Sequence, residues 1–379
     1  MAGKFEARIR MMKPVIAVAM SGGVDSSVSA YLLKQERHPV FGIHFVTGYE
    51  SGVSGETGSS SLKPDSGFKS RPIGKERIRD IADRIGIRLH VLDVREEFDS
   101  TVVDYFVRTF ASGKTPNPCM VCNTAIKFGR LLSAAREWGA ERLATGHYAG
   151  LEEDASGRLH LLRGRDRRKE QSYFLARLTR DQLSCAVFPL SGRTKPEVRK
   201  IAADIGLADL IRKESQDICF VGKNAYGEFL NRKGIPSRPG PIVDVSRRFV
   251  GEHPGLHLFT IGQRKGINCP AAEPYYVVRI EPAENRLVVG RKEDLFAGQC
   301  RVEEVNWIQP APSSPISVHT RLRYRHEAVL SMVHPTDDSR ALVRFERPES
   351  AVTPGQCAVF YRGNEVLGSG WIEGKDADV

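Results

Sequence analysis

Two groups of residues have the types and spacing for chemistry. The first is Ser21-Gly22-Gly23-Val24-Asp25-Ser26-Ser27, set between the apolar run PVIAVAM and the helical-looking VSAYLLKQ. Adjacent glycines let a backbone turn tightly and approach an anion closely. Serine hydroxyls and exposed amides would then meet that anion at the start of the following helix. A carboxylate at Asp25 is out of place beside phosphates unless Mg²⁺ accompanies them and accepts it. Ordinary strand–helix turns also use Gly-Gly and Ser, but this string between a buried strand and a helix points to a nucleotide site. It is not the GxxxxGK[ST] loop of kinases and GTPases. The single Gly113-Lys114-Thr115 has Arg108 where the first glycine belongs.

The second group is Cys119 and Cys122, a Cys-x-x-Cys in TPNPCMVCN, with Cys219 in SQDICF 97 positions further on. Free cysteines are usually small buried hydrophobes. A Pro/Asn loop is not where burial is expected, and Cys219 follows the polar run KESQD. Chemical roles are therefore expected for Cys122 and Cys219, and structural ones for Cys185, Cys269, Cys300 and Cys357. Seven cysteines is an odd number, which argues against a disulfide framework.

The elements that must position these groups change along the chain. From residue 14, buried-type strands alternate with helices: PVIAVAM, VFGIHFV, ERIRDIADRIG, RLHVLDV, FDSTVVDYFVRTF, AIKFGRLLSAAREWG and RLATGHY, continuing with strand LHLLRG and helices near 180–186 and 195–205. This is the pattern of a doubly wound α/β parallel sheet. Residues 49–72 are Ser/Gly-rich and read as a loop. After Cys219, Gly/Pro-rich sequence gives way to short β-type segments. The expected organisation is 1–220 as a nucleotide-binding catalytic domain, 221–292 as a small β-rich central domain, and 293–379 as a C-terminal β-barrel; 379 residues exceed what one core usually organises. No apolar run is long enough for a membrane span, and nothing at the start reads as a signal peptide, so a cytoplasmic enzyme is expected. With 56 basic against 46 acidic residues the net charge is +10, which favours encounter with polyanions.

SGGVDSS resembles the pyrophosphate loop of the N-type ATP pyrophosphatases, which adenylate a carbonyl oxygen. With TPNPCMVCNTAIKFG, ATGHY, KEQSYFL, KESQDICFVG, GLHLFTIGQRKG and TPGQCAVFY it resembles, in order and from residue 21 to 361, the tRNA-specific 2-thiouridylase (MnmA/TrmU) family. The resemblance implies an adenine nucleotide alpha hydrolase-like fold and a tRNA-uridine sulfurtransferase. It would use ATP and Mg²⁺ to adenylate the C2 oxygen of the wobble uridine in tRNAs for lysine, glutamate and glutamine. Sulfur, supplied by a cysteine desulfurase, a relay protein or free sulfide, would pass as a persulfide on Cys219, with Cys122 closing a disulfide. Ala19, Met20, Ser21, Gly22, Gly23, Val24, Asp25, Ser26, Ser27, Phe45 and Gly146 would lie at the nucleotide. A monomer is expected.

There is one departure from the family pattern. Many members have an aspartate where this chain has Cys119. That thiol could act as a base, or Cys119, Cys122 and Cys219 could hold a [4Fe–4S] cluster. Facing the RNA, the resemblance implies His147, Lys169, Glu170, Gln171, Arg323, Tyr324 and Gln356. Lys169 ends RGRDRRK, which carries five basic residues, and TRLRYR on a strand would put Arg321, Arg323 and Arg325 on one face. Three rivals stand beside this reading: another adenylating enzyme (an amide-forming synthetase or tRNA lysidine synthetase), a non-catalytic RNA-binding protein, and an iron–sulfur redox protein.

Overall fold

A computed structural model describes residues 13–49, 75–210, 218–221 and 226–374. The Ser/Gly-rich stretch at 50–72 and the polar run KESQD lie outside the described residues. In the first part of the chain the strands are β1 (Ile16–Ala19), β2 (Val40–Val46), β3 (Arg88–Asp93), β4 (Arg142–Ala144), β5 (Ala149–Glu153), β6 (Leu159–Arg163) and β7 (Ala186–Val187). Five of them form a parallel sheet in the order β3-β2-β1-β4-β7. All four residues of β1 are buried, as expected of a strand covered on both faces.

The covering helices follow from sequence. Helix α1 (Val24–Gln35) buries Val24, Val28 and Leu33. Helix α2 (Lys75–Ile85) places Ile78, Ile81, Ala82 and Ile85 on one stripe, the helical repeat of three and four, and all four are buried. Helix α3 runs through residues 95–111 and α4 through 118–137, each with a segment of wider i→i+5 winding, Asp99–Val103 and Cys122–Leu131. Helix α5 (Lys195–Asp204) begins with a reciprocal cap between Thr194 and Glu197, and Pro196 sits in its first turn.

The LHLLRG strand is real but belongs elsewhere. β5 and β6 form an antiparallel hairpin, and β6 pairs with the last strand of the C-terminal barrel, Glu365 against Leu162. The central region is a four-stranded sheet in the order β10-β11-β8-β9, from β8 (Gly240–Asp244), β9 (Phe249–His253), β10 (Tyr276–Glu281) and β11 (Arg286–Gly290). The barrel comprises β12 (Phe296–Trp307), β13 (Ile316–Arg321), β14 (Val329–Pro335), β15 (Ala341–Ser350), β16 (Cys357–Arg362) and β17 (Glu365–Ile372), closed by pairing of β12 with β17. Closure leaves these strands no free edge.

The apolar core does not stop at the join between sheet and barrel. Phe98, Phe106, Phe128 and Tyr173 pack in one continuous cluster with Cys357, Val359, Tyr361 and Val366 of the barrel. A groove of about 430 Å³ also lies at this join, between Tyr105 and Met120 on one side and Glu303 and Trp371 on the other.

Candidate active site

Chain order around β1 reverses: β2 and β3 lie on one side, β4 and β7 on the other. In open α/β sheets ligands bind at such a switch point, beyond the carboxyl ends of the strands. The Ser21–Ser27 loop leaves β1 there, the segment after β4 carries Gly146 and His147, and half-buried Phe45 sits at the carboxyl end of β2. Ala19 and Met20 are buried in the strand and its exit, while Ser21 is exposed.

The loop is held from within. Gly22 takes φ +74°, a conformation that favours glycine. Ser26 Oγ and Ser27 Oγ both donate to the Gly23 carbonyl, at 3.0 and 2.9 Å. Gly23 offers no side chain to cap α1, so the leading amides of the helix remain suited to an anion. Gly146 seals the other wall. A Cβ there would lie 2.9 Å from the Asp25 backbone and from the Ser26 nitrogen, so only hydrogen fits.

Asp25 is not set up as the expected Mg²⁺ ligand. Lys195 Nζ donates to both carboxylate oxygens, at 2.8 and 2.7 Å, and the Tyr148 hydroxyl donates to Oδ1 at 2.8 Å. The Lys195 residue is only 5% exposed, and a buried ammonium needs such a partner. Asp25 thus pins the loop to α5, and no step is derived through a metal at this carboxylate. Lys195 and Tyr148 escaped the sequence reading; the lysine at the start of a capped helix was the available signal.

Cys119 and Cys122 stand on helix, not loop, while Cys219 sits in a turn. Pro118 opens α4, because its missing N–H costs nothing in a first turn. Cys119 and Cys122 follow three residues apart, on one face. Cys119 and Cys219 are exposed and Cys122 is half-buried, all as free thiols. The protein packed around their sulfur atoms nonetheless raises all three: burial pushes Cys119 up, Cys122 to about 11 and Cys219 to about 12. For Cys219 the charges of Cys122 and Cys119 add to the rise.

One cation opposes this. Lys127 lowers all three thiols, and its charge also reaches His147. Its ammonium is held by Asn123 Oδ1 at 2.9 Å, and Asn123 in turn donates to the Phe174 carbonyl. His147 is buried, bonded to Thr145 Oγ1 at 2.7 Å, and burial first and Lys127 second keep it neutral. Gly146 touches the nucleotide loop while its neighbour His147 shares Lys127 with the thiols. The Lys127 charge thus reaches both the residue that follows Gly146 and the three thiols.

Among the described residues no group of three or more His, Cys, Asp or Glu side chains is arranged to hold a metal ion. The expectation of a [4Fe–4S] cluster is not carried by this geometry, and no step is routed through one.

The residues assigned to RNA divide. Lys169 lies on the partly exposed turn 165–169. Glu170 is 4% exposed, accepts from the Ser172 amide at 2.5 Å and pairs with Arg321 at 2.8 Å; it is internal and fixes Arg321. The three-arginine face fails because β13 ends at Arg321 and the chain turns at 323–326. Arg323 instead reaches the Ser350 carbonyl, and the Tyr324 ring packs on Phe174 with centroids 4.4 Å apart. Gln356 donates to the carbonyls of Thr115 and Pro116, both at 3.1 Å, clasping the segment that leads into α4. Gln171 grips Tyr148, its Oε1 accepting from the Tyr148 amide at 3.1 Å. Among the described residues no helix is long and apolar enough to cross a membrane.

Comparison with known proteins agrees with this layout. Residues 14–223 match the family model for the tRNA methyl transferase HUP domain, 227–291 that for the tRNA methyl transferase PRC-barrel domain, and 297–372 that for the aminomethyltransferase beta-barrel domain. The chain is similar to the tRNA-specific 2-thiouridylase MnmA of Desulfosudis oleivorans, at 45% identity over 95% of each chain. It is equally similar to that of Geobacter metallireducens, at 45% identity over 94% of this chain and 96% of the relative.

Proposed function

The chain belongs to the tRNA-specific 2-thiouridylase family, and from that premise we propose that it converts a tRNA uridine to 2-thiouridine, consuming ATP. The observation that carries this reading is a nucleotide loop packed on Gly146 while the next residue, His147, and three free thiols all feel the charge of Lys127. The matched family models speak of methyl transfer; a methyltransferase has no need of a pyrophosphate loop beside a thiol pair.

The uridine C2 oxygen attacks the α-phosphorus of ATP, and pyrophosphate leaves. That oxygen then departs as part of AMP when the terminal sulfur of a Cys219 persulfide bonds to C2. Cys122, as thiolate, attacks Cys219 Sγ. The sulfur–sulfur bond breaks, 2-thiouridine is released, and a Cys122–Cys219 disulfide remains for an external dithiol to reduce. Neutral His147, held by Thr145, lies beside the target base. Cys119, in its thiolate form, takes the uridine N3 proton as the C2 oxygen is adenylated. The substrates are the tRNAs for lysine, glutamate and glutamine, the sulfur comes from a cysteine desulfurase or relay protein, and the chain works as a cytoplasmic monomer with Mg²⁺ accompanying ATP. The exposed basic residues of 165–169 serve phosphate contacts, which make affinity salt-dependent.

The test combines purified protein, ATP, Mg²⁺, a persulfide donor and unmodified tRNA. Thiolated uridine should appear with one AMP and one pyrophosphate per product. Cys219→Ala should lose thiolation while tRNA binding and pyrophosphate release persist. Thiolation retained in that variant refutes the persulfide role.

A further inference from the structure

The turn at 165–171 reads from sequence as a basic, RNA-facing strip, yet its inner side points at the nucleotide loop. Asp166 Oδ2 accepts from the Lys195 backbone amide at 2.8 Å, and its Oδ1 accepts from the Arg168 amide at 3.1 Å. Arg165 adds a donation to the Gly192 carbonyl at 3.0 Å and a contact with Glu197 at 3.2 Å, so the turn is seated on the first turn of α5. The residue that Asp166 holds by its backbone is the one whose side chain grips both oxygens of Asp25. A second route runs in parallel: Gln171 holds Tyr148 through two bonds, 3.1 and 2.9 Å, and the Tyr148 hydroxyl donates to the same carboxylate. Asp25 lies in the first turn of α1, beside the amides that would face phosphate.

We infer that Asp166 is a positioning residue for the nucleotide loop: by holding the start of α5 it sets Lys195, and through Lys195 it sets Asp25. A carboxylate at the head of a helix is favoured by the amides and dipole there. The lysine it fixes must span to Asp25, and a small displacement at the lysine backbone would loosen an ion pair that depends on distance and alignment. The role of Asp166 is thus in ATP binding, although it sits within a run of arginines. The inference deepens the proposed function and rests on it only in taking the loop ligand to be ATP.

The experiment uses the full-length chain, with ATP and Mg²⁺ titrated by calorimetry and tRNA titrated by filter binding. Asp166→Ala should weaken ATP binding about tenfold, the scale of a lost hydrogen bond to a charged group, and raise the tRNA dissociation constant far less. In a Lys195→Ala background the same substitution should add almost nothing, since it acts through that lysine. Unchanged ATP binding, a loss confined to tRNA, or full additivity with Lys195→Ala overturns the inference. If Asp166→Ala does not fold, Asp166→Leu decides: it is near in volume but offers the Lys195 amide no acceptor, so ATP binding should again fall, and wild-type affinity in it overturns the proposal. Thiolation by the wild-type chain is read separately; its failure with ATP binding intact would sink the proposed function alone.

Discussion

At the scale of residues, the thiols decide the pH behaviour. With Cys122 raised to about 11 and Cys219 to about 12, both are protonated at neutral pH, whereas the reactive form is the thiolate. The rate of iodoacetamide labelling at Cys122 should therefore climb with each unit of pH from 7 towards 11. Lys127 is the cation that opposes burial at all three thiols, so Lys127→Met should shift the labelling profile to higher pH; a shift to lower pH would contradict its role. The linkage to stability has a definite sign. An unfolded thiol ionises near its ordinary value of 9.0, while the folded one stays protonated. The stability from this difference is present below pH 9 and is lost as pH rises through 11 to 12. Thermal melts across pH 8 to 11 should show that decline, steeper in wild type than in Cys219→Ala.

At the scale of elements, two junctions hold the site. The first is the contact of Gly146 with the start of α1. Gly146→Ala places a methyl 2.9 Å from the backbone of Asp25 and Ser26, and backbone cannot yield as a flexible side chain can. ATP affinity should fall at least tenfold, about 1.4 kcal/mol, with the fold retained by circular dichroism. The second is the wide winding of α4 from Cys122 to Leu131, a rare geometry frequent at functional sites. Within this winding Lys127 bonds Asn123, the neighbour of Cys122, and its charge reaches that thiol. The start of α5 offers a stability test: Thr194→Ala removes the cap and should cost about 1 kcal/mol, read from denaturant midpoints.

At the scale of the whole molecule, sheet and barrel share their interior. Gln356 clasps Thr115 and Pro116, Thr115 donates its amide to the Pro354 carbonyl at 2.8 Å, and the Tyr173 hydroxyl donates to the Cys357 carbonyl at 2.9 Å. β6 is drawn from the first part of the chain onto β17. A chain ended at residue 292 should therefore not keep a native first domain. It would strip Val359, Tyr361 and Val366 from the shared core, at about 1.5–3 kcal/mol for each fully buried apolar side chain. Dye binding to exposed apolar surface and loss of a cooperative melt are the expected readings. Gln356→Ala is the milder version, and should slow thiolation more than it weakens tRNA binding, because the amide holds the segment before α4.

The sequence by itself determined the local features: a glycine–serine loop between a buried strand and a helix, the Cys-x-x-Cys spacing, the alternation of a parallel sheet and the later run of short strands. Each of these is written in contiguous residues, whose conformational preferences and periodicity act over a few positions. Only the tertiary structure decided what meets across long separations. Asp25 and Lys195 stand 170 positions apart, and no local pattern pairs them. Alternation marked 159–163 as strand but could not say which sheet would take it, since period two is blind to the partner. Glu170 and Arg321 are expected from sequence to face RNA, yet they satisfy each other inside. Lys127 acts on Cys219, far along the chain, which no helical period could show.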